Sequence, residues 1–444
     1  MLVEAWLARA ARAQPQRVAL QTPGGSWTYA ELLDAAVAGA GALAQRDVRP
    51  GERVAIALPA GLEFAAALHA CMLLGAVAVP LDLRLSAPER AAIATGAAAL
   101  VEQPLPRGSE SGAGGARATP RHELDATAVV IHTSGTSSAP KPVELTYGNL
   151  LWSALGSAVA LGLDPRERWL CALPASHVGG LSILVRSAIY ATTALVHERF
   201  ETDRALHALR EQDVTLVSLV ATTLGRLLDA GLERPPALRC ALTGGGPVPA
   251  ALVERAREAG VPVRMTYGLT ESCSQATTVP LAALAEGDLR AGPALFCTRV
   301  RTAADGEILL AGPTVAPASL QADGWLHTGD LGVIDGRGRL SVTGRKADTI
   351  VSGGENVAPS EVEAVLESHP DVLEAAVVGL ADERWGEAVT AIVVARPGRA
   401  LDAESLRAYC ASALAPYKVP KRIEPRAGPL PRTRSGKLLR RELR

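Results

Sequence analysis

Net charge is almost absent from this chain: 45 Lys and Arg against 46 Asp and Glu leave a formal −1 over 444 residues. No global field therefore draws it to nucleic acid or to an anionic membrane surface. The six cysteines (Cys71, Cys171, Cys240, Cys273, Cys297, Cys410) lie far apart with no CxxC pair. That spacing excludes a small disulfide scaffold and predicts a reduced, cytoplasmic setting. The eight histidines form no HExxH or other zinc-like cluster, so no transition-metal site is expected. The N-terminus carries an early acid, Glu4, and no basic region before an apolar stretch, so no signal peptide is expected. The most apolar run, Phe64 to Pro80, contains His69 and is followed at once by Asp82 and Arg84. It is short for a membrane span and reads as a buried helix over 64–74 feeding a buried strand over 76–79. Membrane insertion is not expected, and no internal repeat is visible.

The order of short apolar strands and helical stretches predicts an α/β fold. Strands are expected at 53–58 and 128–132, and Thr146 has the character of an N-cap for a helix over 147–161. The stretch from Gln103 to Arg121, rich in Gly, Ser, Pro and Arg, reads as a mobile surface connection. Past residue 290 short strands such as 307–310 and 340–343 predict a small β subdomain. The remainder holds helices at 359–368 and 403–413 with strands at 375–378 and 389–394, a compact α+β unit of about 100 residues. The expected division is therefore a large N-terminal domain of parallel-rich sheets with flanking helices, 1–345, and a small C-terminal domain, 346–444.

Several short segments carry chemistry. Thr133-Ser134-Gly135-Thr136-Ser137-Ser138-Ala139-Pro140-Lys141 offers backbone N–H groups and hydroxyls to a polyphosphate, with Lys141 as a mobile charge. No GxxxxGK[ST] loop occurs, and the same residues would also make an ordinary Ser/Thr-rich turn. In Tyr267-Gly268-Leu269-Thr270-Glu271, a carboxylate beside phosphates makes sense when a hard cation neutralises both, which places Mg²⁺ on Glu271. Thr243-Gly244-Gly245-Gly246-Pro247 lets a flat base approach the backbone without a Cβ in the way. Asp330, closing Gly324-Trp325-Leu326-His327-Thr328-Gly329, can accept the protons of two ribose hydroxyls. Lys437 lies in the basic tail Pro431-Arg432-Thr433-Arg434-Ser435-Gly436-Lys437-Leu438. Most such lysines are merely solvated. Joining a carboxylate to an α-phosphate brings two anions together, however, and one bridging ammonium lowers that repulsion. The tail has no aromatics to make it a nucleic-acid patch.

In order and separation these segments resemble the adenylate-forming superfamily of acyl-CoA synthetases, luciferases and peptide-synthetase adenylation domains. The resemblance implies an acid–thiol ligase using ATP, Mg²⁺ and coenzyme A, with a mobile C-terminal domain. It implies phosphate contacts from Thr133, Ser134, Gly135, Thr136, Ser137 and Lys141, and an adenine site from Gly244, Gly245, Gly246, Pro247, Tyr267 and Gly268. It further implies Thr270 on the α-phosphate, Asp330 and Arg345 on the ribose or phosphate, and Lys437 as a catalytic cation. Lys346 and Ala347 stand at the hinge. Gly353, Gly354 and Glu355 stand at a passage for a pantetheine arm, and Gly379 to Glu387 is typical of the CoA-ligase branch. The family pattern has glycines where this chain has Ser138 and Pro142, which stiffens the phosphate loop.

The acid partner is addressed by Leu173 to Ser187. His177 resembles the gate at the family's acid site, although a lone His is more often a satisfied core residue. Arg186 falls on an apolar helical pattern (Leu181, Ile183, Leu184, Ile189), where an unpaired cation would cost roughly several kcal/mol. It needs an anion, either a structural Asp or Glu or a carboxylate of the substrate. Around it, Thr146 to Asn149, Trp152-Ser153-Ala154, Gly179 to Ser182, Val185 to Ser187 and Val217 to Val220 resemble the o-succinylbenzoate-CoA ligase branch, which serves menaquinone biosynthesis. By that resemblance His177, Ser182, Arg186 and Ser218 line the acid pocket, with a benzoate carboxylate on Arg186 and Ser218. The alternatives are an ordinary aryl or medium-chain fatty acid as substrate, or a catalytically silent nucleotide-binding homologue. A hydrolase using Ser134 lacks a GxSxG elbow. A homo-oligomer is left open.

Overall fold

The computed structural model describes residues 1–107, 121–133, 141–280, 290–432 and 438–444. The chain is α/β, a large unit followed by a smaller α+β one. The large unit comprises Met1–Val248, Glu254–Val300 and Leu310–Leu326; the smaller comprises Pro249–Val253, Arg301–Leu309 and His327–Arg444. The expected division at 345/346 falls inside the second of these.

Two sheets organise the large unit. One runs in the order Thr277–Thr278, Val263–Tyr267, Cys240–Thr243, Leu216–Leu219, Arg168–Cys171, Thr193–Val196, Val18–Thr22 and Gly25–Thr28. Its inner strands are parallel, and an antiparallel pair closes each edge. The other runs Ala99–Val101, Arg53–Ile56, Val77–Pro80, Thr127–Thr133 and Lys141–Thr146, parallel up to its last, antiparallel strand. Parallel strands are covered on both faces, which is why they read as continuous apolar runs.

The expected Phe64–Pro80 pair is present as a helix, Leu62–Leu74, and the strand Val77–Pro80. Every residue of that helix except Glu63 is buried, as befits a helix apolar on all faces. Among the described residues no helix is long and apolar enough to cross a membrane. The helix Tyr147–Leu161 begins at the expected cap. The Asn149 N–H donates to Thr146 Oγ1 (3.0 Å), and the Thr146 N–H donates back to Asn149 Oδ1 (2.9 Å). That reciprocal pair satisfies backbone donors the first turn leaves open.

In the smaller unit Leu326–Ile334 and Arg339–Arg345 pair antiparallel, so that Asp330 and Arg345 are cross-strand partners. Beyond them, Val372–Asp382 and Gly386–Ala395 form a long antiparallel ladder, with Arg422–Pro425 added parallel. The helices Pro359–Glu367 and Ala403–Ala413 complete this part, and Val362, Leu366, Val377, Val389 and Leu406 share one core. The Gly/Ser/Pro-rich connection lies largely outside the described residues.

Candidate active site

In an open α/β sheet ligands gather where the parallel strands end. Most of the candidate residues of the large unit stand at or just past such ends. The loop after Arg168–Cys171 leads to His177 at the start of the helix Val178–Tyr190, and Ser218 lies near the end of Leu216–Leu219. Gly244 to Pro247 follow Cys240–Thr243, and Gly268 to Glu271 follow Val263–Tyr267. A Cβ on Gly244 would stand 2.7 Å from the Thr266 carbonyl oxygen, so only glycine lets the two chain segments come this close. Thr133 and Lys141 are register partners at the base of the hydroxyl-rich loop. Ser134, Gly135, Thr136 and Ser137, and Lys437 in the tail, lie outside the described residues.

Thr270 and Glu271 ride on a tightly closed turn. The Cys273 N–H donates to the Thr270 carbonyl (3.0 Å), and the Ser274 N–H to the Leu269 carbonyl (3.1 Å). Ser272 Oγ accepts from the Leu269 N–H (2.9 Å). Closure forces Cys273 and Ser274 to φ of 55° and 88°, left-handed conformations that cost non-glycine residues about 1–3 kcal/mol each. It also dictates Gly268, whose Cβ would fall 1.6 Å from the Ser274 carbonyl oxygen. The Glu271 carbonyl accepts from the Ala316 N–H (2.8 Å). No ion pair within the described residues engages the Glu271 carboxylate. An unpaired carboxylate on a fixed backbone suits a hard cation that takes its other ligands from phosphate and water.

Arg186 is 2 % exposed. Among the described residues no carboxylate pairs with it. Its Nη2 donates to Ser153 Oγ (2.9 Å), its guanidinium lies 5.6 Å from the Trp169 ring centroid, and its Nε has no hydrogen-bond partner. Burial pulls its pKa below the usual guanidinium value, yet an arginine keeps its proton at neutral pH. Trp169 Nε1 in turn donates to Ser218 Oγ (3.0 Å), so the predicted pair Arg186 and Ser218 are joined through one indole. Ser182 Oγ turns back onto the Gly179 carbonyl of its own helix (3.2 Å).

His177 has partners that sequence patterns did not reveal. Its Nε2 lies 3.0 Å from Arg84 Nη2 and 3.5 Å from Asp82 Oδ2. Burial pushes the Asp82 carboxyl up, but hydrogen bonds from His177 and Arg84 outweigh it and hold the group well below the usual carboxylate range. Asp82 and Arg84 directly follow the strand Val77–Pro80, a strand end of the kind that builds sites. Ser153 was equally unassigned. Its signal was a row of polar residues, Asn149, Ser153 and Ser157, on the buried face of an otherwise apolar helix.

The smaller unit holds the rest. Arg345 Nε lies 2.8 Å from Asp330 Oδ1, so the two predicted ribose residues meet across the ladder. Lys346 Nζ donates to Asp305 Oδ2 (2.6 Å) and Glu307 Oε2 (3.2 Å), beside Ala347 in a short 3₁₀ turn. Gly353 and Gly354 form the turn between Ile350–Ser352 and Glu355–Val357, and the Gly353 N–H donates to the Trp385 carbonyl (2.8 Å).

Two family models match the chain. Residues 7–318 match the AMP-binding enzyme family, and residues 361–437 match the AMP-binding enzyme C-terminal domain. The chain is 39 % identical to the 2-succinylbenzoate–CoA ligase of Bacillus subtilis, covering 99 % of this chain and 97 % of that one. It superposes on the structure of o-succinylbenzoate CoA synthetase from Bacillus subtilis in complex with its acyl-adenylate intermediate, with a TM-score of 0.90 and 38 % identity over 100 % of this chain and 98 % of that one. The same synthetase with ATP and magnesium ion gives a TM-score of 0.89 at 38 % identity, covering 100 % of both chains. The chain belongs to the AMP-binding, adenylate-forming family of enzymes.

Proposed function

We propose that this chain is an AMP-forming acid–CoA ligase that converts o-succinylbenzoate to o-succinylbenzoyl-CoA, a step of menaquinone biosynthesis. One observation carries the choice of acid: Arg186 is a buried cation with no carboxylate partner among the described residues. A dicarboxylate can place one carboxylate on Arg186, beside Ser218, and offer the other to ATP. The relatives named above act on or hold that acid.

Two half-reactions follow. The substrate carboxylate attacks the α-phosphorus of ATP, forming an acyl–AMP anhydride and releasing pyrophosphate. CoA thiolate then attacks the acyl carbon, forming the thioester and expelling AMP. Converting the carboxylate to an adenylate replaces oxide, a poor leaving group, with AMP. In the first step Thr133 to Lys141 hold the phosphates, Thr270 the α-phosphate, and Lys437 bridges the approaching anions. Tyr267 and Gly244 to Pro247 hold the adenine; Asp330 and Arg345 hold the ribose. Mg²⁺, when bound on Glu271, screens the phosphate charge. His177, braced by Asp82 and Arg84, stands at the acid pocket. In the second step residues 346–444 turn about Lys346 and Ala347, withdrawing Lys437 and presenting Gly353, Gly354 and Glu355 to the pantetheine arm. Residues 1–345 keep the adenylate. The setting is cytoplasmic, with no nucleic-acid or membrane partner.

The test is a product assay with ATP, CoA and o-succinylbenzoate against a panel of aryl and fatty acids, together with acid-dependent exchange of pyrophosphate into ATP. The expected products are o-succinylbenzoyl-CoA, AMP and pyrophosphate. Exchange with other acids alone replaces the substrate; no exchange with any acid makes the chain a silent homologue.

A further inference from the structure

Ser153 has so far been only a contact of Arg186. It lies on the helix Tyr147–Leu161 and is 1 % exposed, out of reach of solvent. Its hydroxyl accepts from Arg186 Nη2 (2.9 Å) and donates to the Cys273 carbonyl (2.6 Å). Its single proton is thus committed to one side and a lone pair to the other. Cys273 is one of the two left-handed residues that close the turn bearing Thr270 and Glu271.

The geometry points to Ser153 as a positioning residue for the proposed reaction, one hydroxyl that aims the acid-binding cation and holds the turn that meets the α-phosphate and its divalent ion. The inference rests on the ligase function proposed above and deepens it by tying the two half-sites together. Besides Ser153, the Arg186 guanidinium lies over the Trp169 ring face, which fixes its distance but not its rotation about the stack, and its Nε is unbonded. Removing the hydroxyl leaves a buried N–H and a buried carbonyl without partners, in a place water does not reach. The guanidinium then turns to find another acceptor, and the strained turn loses the bond that anchors its Cys273 carbonyl.

The experiment is Ser153→Ala, which fits the space and whose folding is checked by its melting temperature. Three quantities are read: KM for o-succinylbenzoate, KM for a monocarboxylic aryl acid that the wild-type protein accepts, and the affinity for MgATP by direct titration without acid. Loss of one buried hydrogen bond to a charged group predicts a rise of about tenfold in KM for the dicarboxylate. KM for the monocarboxylate, which has nothing to offer Arg186, stays unchanged. MgATP affinity falls by about threefold to tenfold. Equal changes for the two acids indicate a packing defect and overturn the inference, as does an unchanged MgATP affinity or an unchanged dicarboxylate KM. Failure of the ligase proposal shows separately, in the wild-type product assay, while the MgATP titration reads the turn without any acid.

Discussion

Two largely buried arginines, Arg186 in the large unit and Arg440 in the smaller one, are held in opposite ways. In the smaller unit Arg440 Nη2 donates to both oxygens of Glu363 (2.8 and 2.7 Å), and Nη1 donates to Asp348 Oδ2 (3.2 Å). Glu363 also accepts from the Val377 N–H (2.8 Å), so the pair is tied into the ladder. In the large unit Arg186 has a hydroxyl and a ring face instead. Desolvating a guanidinium costs several kcal/mol whichever neighbours it has. Two carboxylates return much of that cost within the fold, and a serine does not. A cation compensated by its own chain fastens structure, whereas the function proposed above gives Arg186 its anion from the substrate.

The largest effect expected from breaking this contrast is at Arg186. Replacing it by Met keeps the length and apolar contacts but removes the charge. Activity on o-succinylbenzoate should fall by about a hundredfold or more in kcat/KM, the scale of losing one partner of a buried ion pair. Activity on an accepted monocarboxylate should change little. Stability should hold or rise, because an apolar side chain replaces a buried, uncompensated charge. Parallel kinetics and a thermal melt check all three. A variant that melts far below the wild type would mean the arginine serves the fold and not the acid.

The mirror experiment is Arg440→Ala. It leaves Glu363 buried without its cation. The expected loss of stability is about 2 kcal/mol, below the full cost of an orphaned buried charge because the carboxyl can take up a proton instead. Glu363 is already inclined to do so: burial pushes its pKa up, against the pull of Arg440. Denaturant unfolding of this variant and of the double variant Arg440→Met with Glu363→Leu separates the terms. The double variant should regain most of the loss; a single variant as stable as the wild type would show the pair to be idle.

These two arginines mark where sequence patterns reach and where they stop. The apolar run from Phe64 to Pro80 could only be core, and the structure makes it the helix Leu62–Leu74 and the strand Val77–Pro80. Thr146 was recognisable as a cap because its partner Asn149 is three residues away. Arg186 was visible as a charge on an apolar face, since helical periodicity is local. Its neighbours were not. Ser153 and Trp169 meet it across 33 and 17 residues of chain, and Asp82 meets His177 across 95, distances that no periodicity encodes. The segment Tyr267 to Glu271 was legible as a motif, but the left-handed residues that close its turn, Cys273 and Ser274, are ordinary L side chains forced there by closure. Propensity would have placed glycines at those positions.

The smallest effect concerns the acids packed beside the Arg440 pair. Glu367, one turn beyond Glu363 on the helix Pro359–Glu367, has its pKa pushed up to about 7 by burial. Glu363 and Glu374 raise it further; the Ala375 N–H and Arg432 act against them. The unfolded chain releases this proton near pH 4.5, its ordinary value, while the folded chain keeps it until about pH 7. Between those limits the native state binds more protons than the unfolded state, so stability should fall as pH rises through that window and level off above it. Glu367→Gln cannot ionise and should flatten the slope, with a melting temperature at pH 7.5 equal to or above that of the wild type. Thermal melts from pH 4.5 to 8 on both proteins check this. A wild-type curve that instead rises across the window would mean that the cations nearby outweigh burial, and that the acids of the smaller unit are as fully compensated as its arginine.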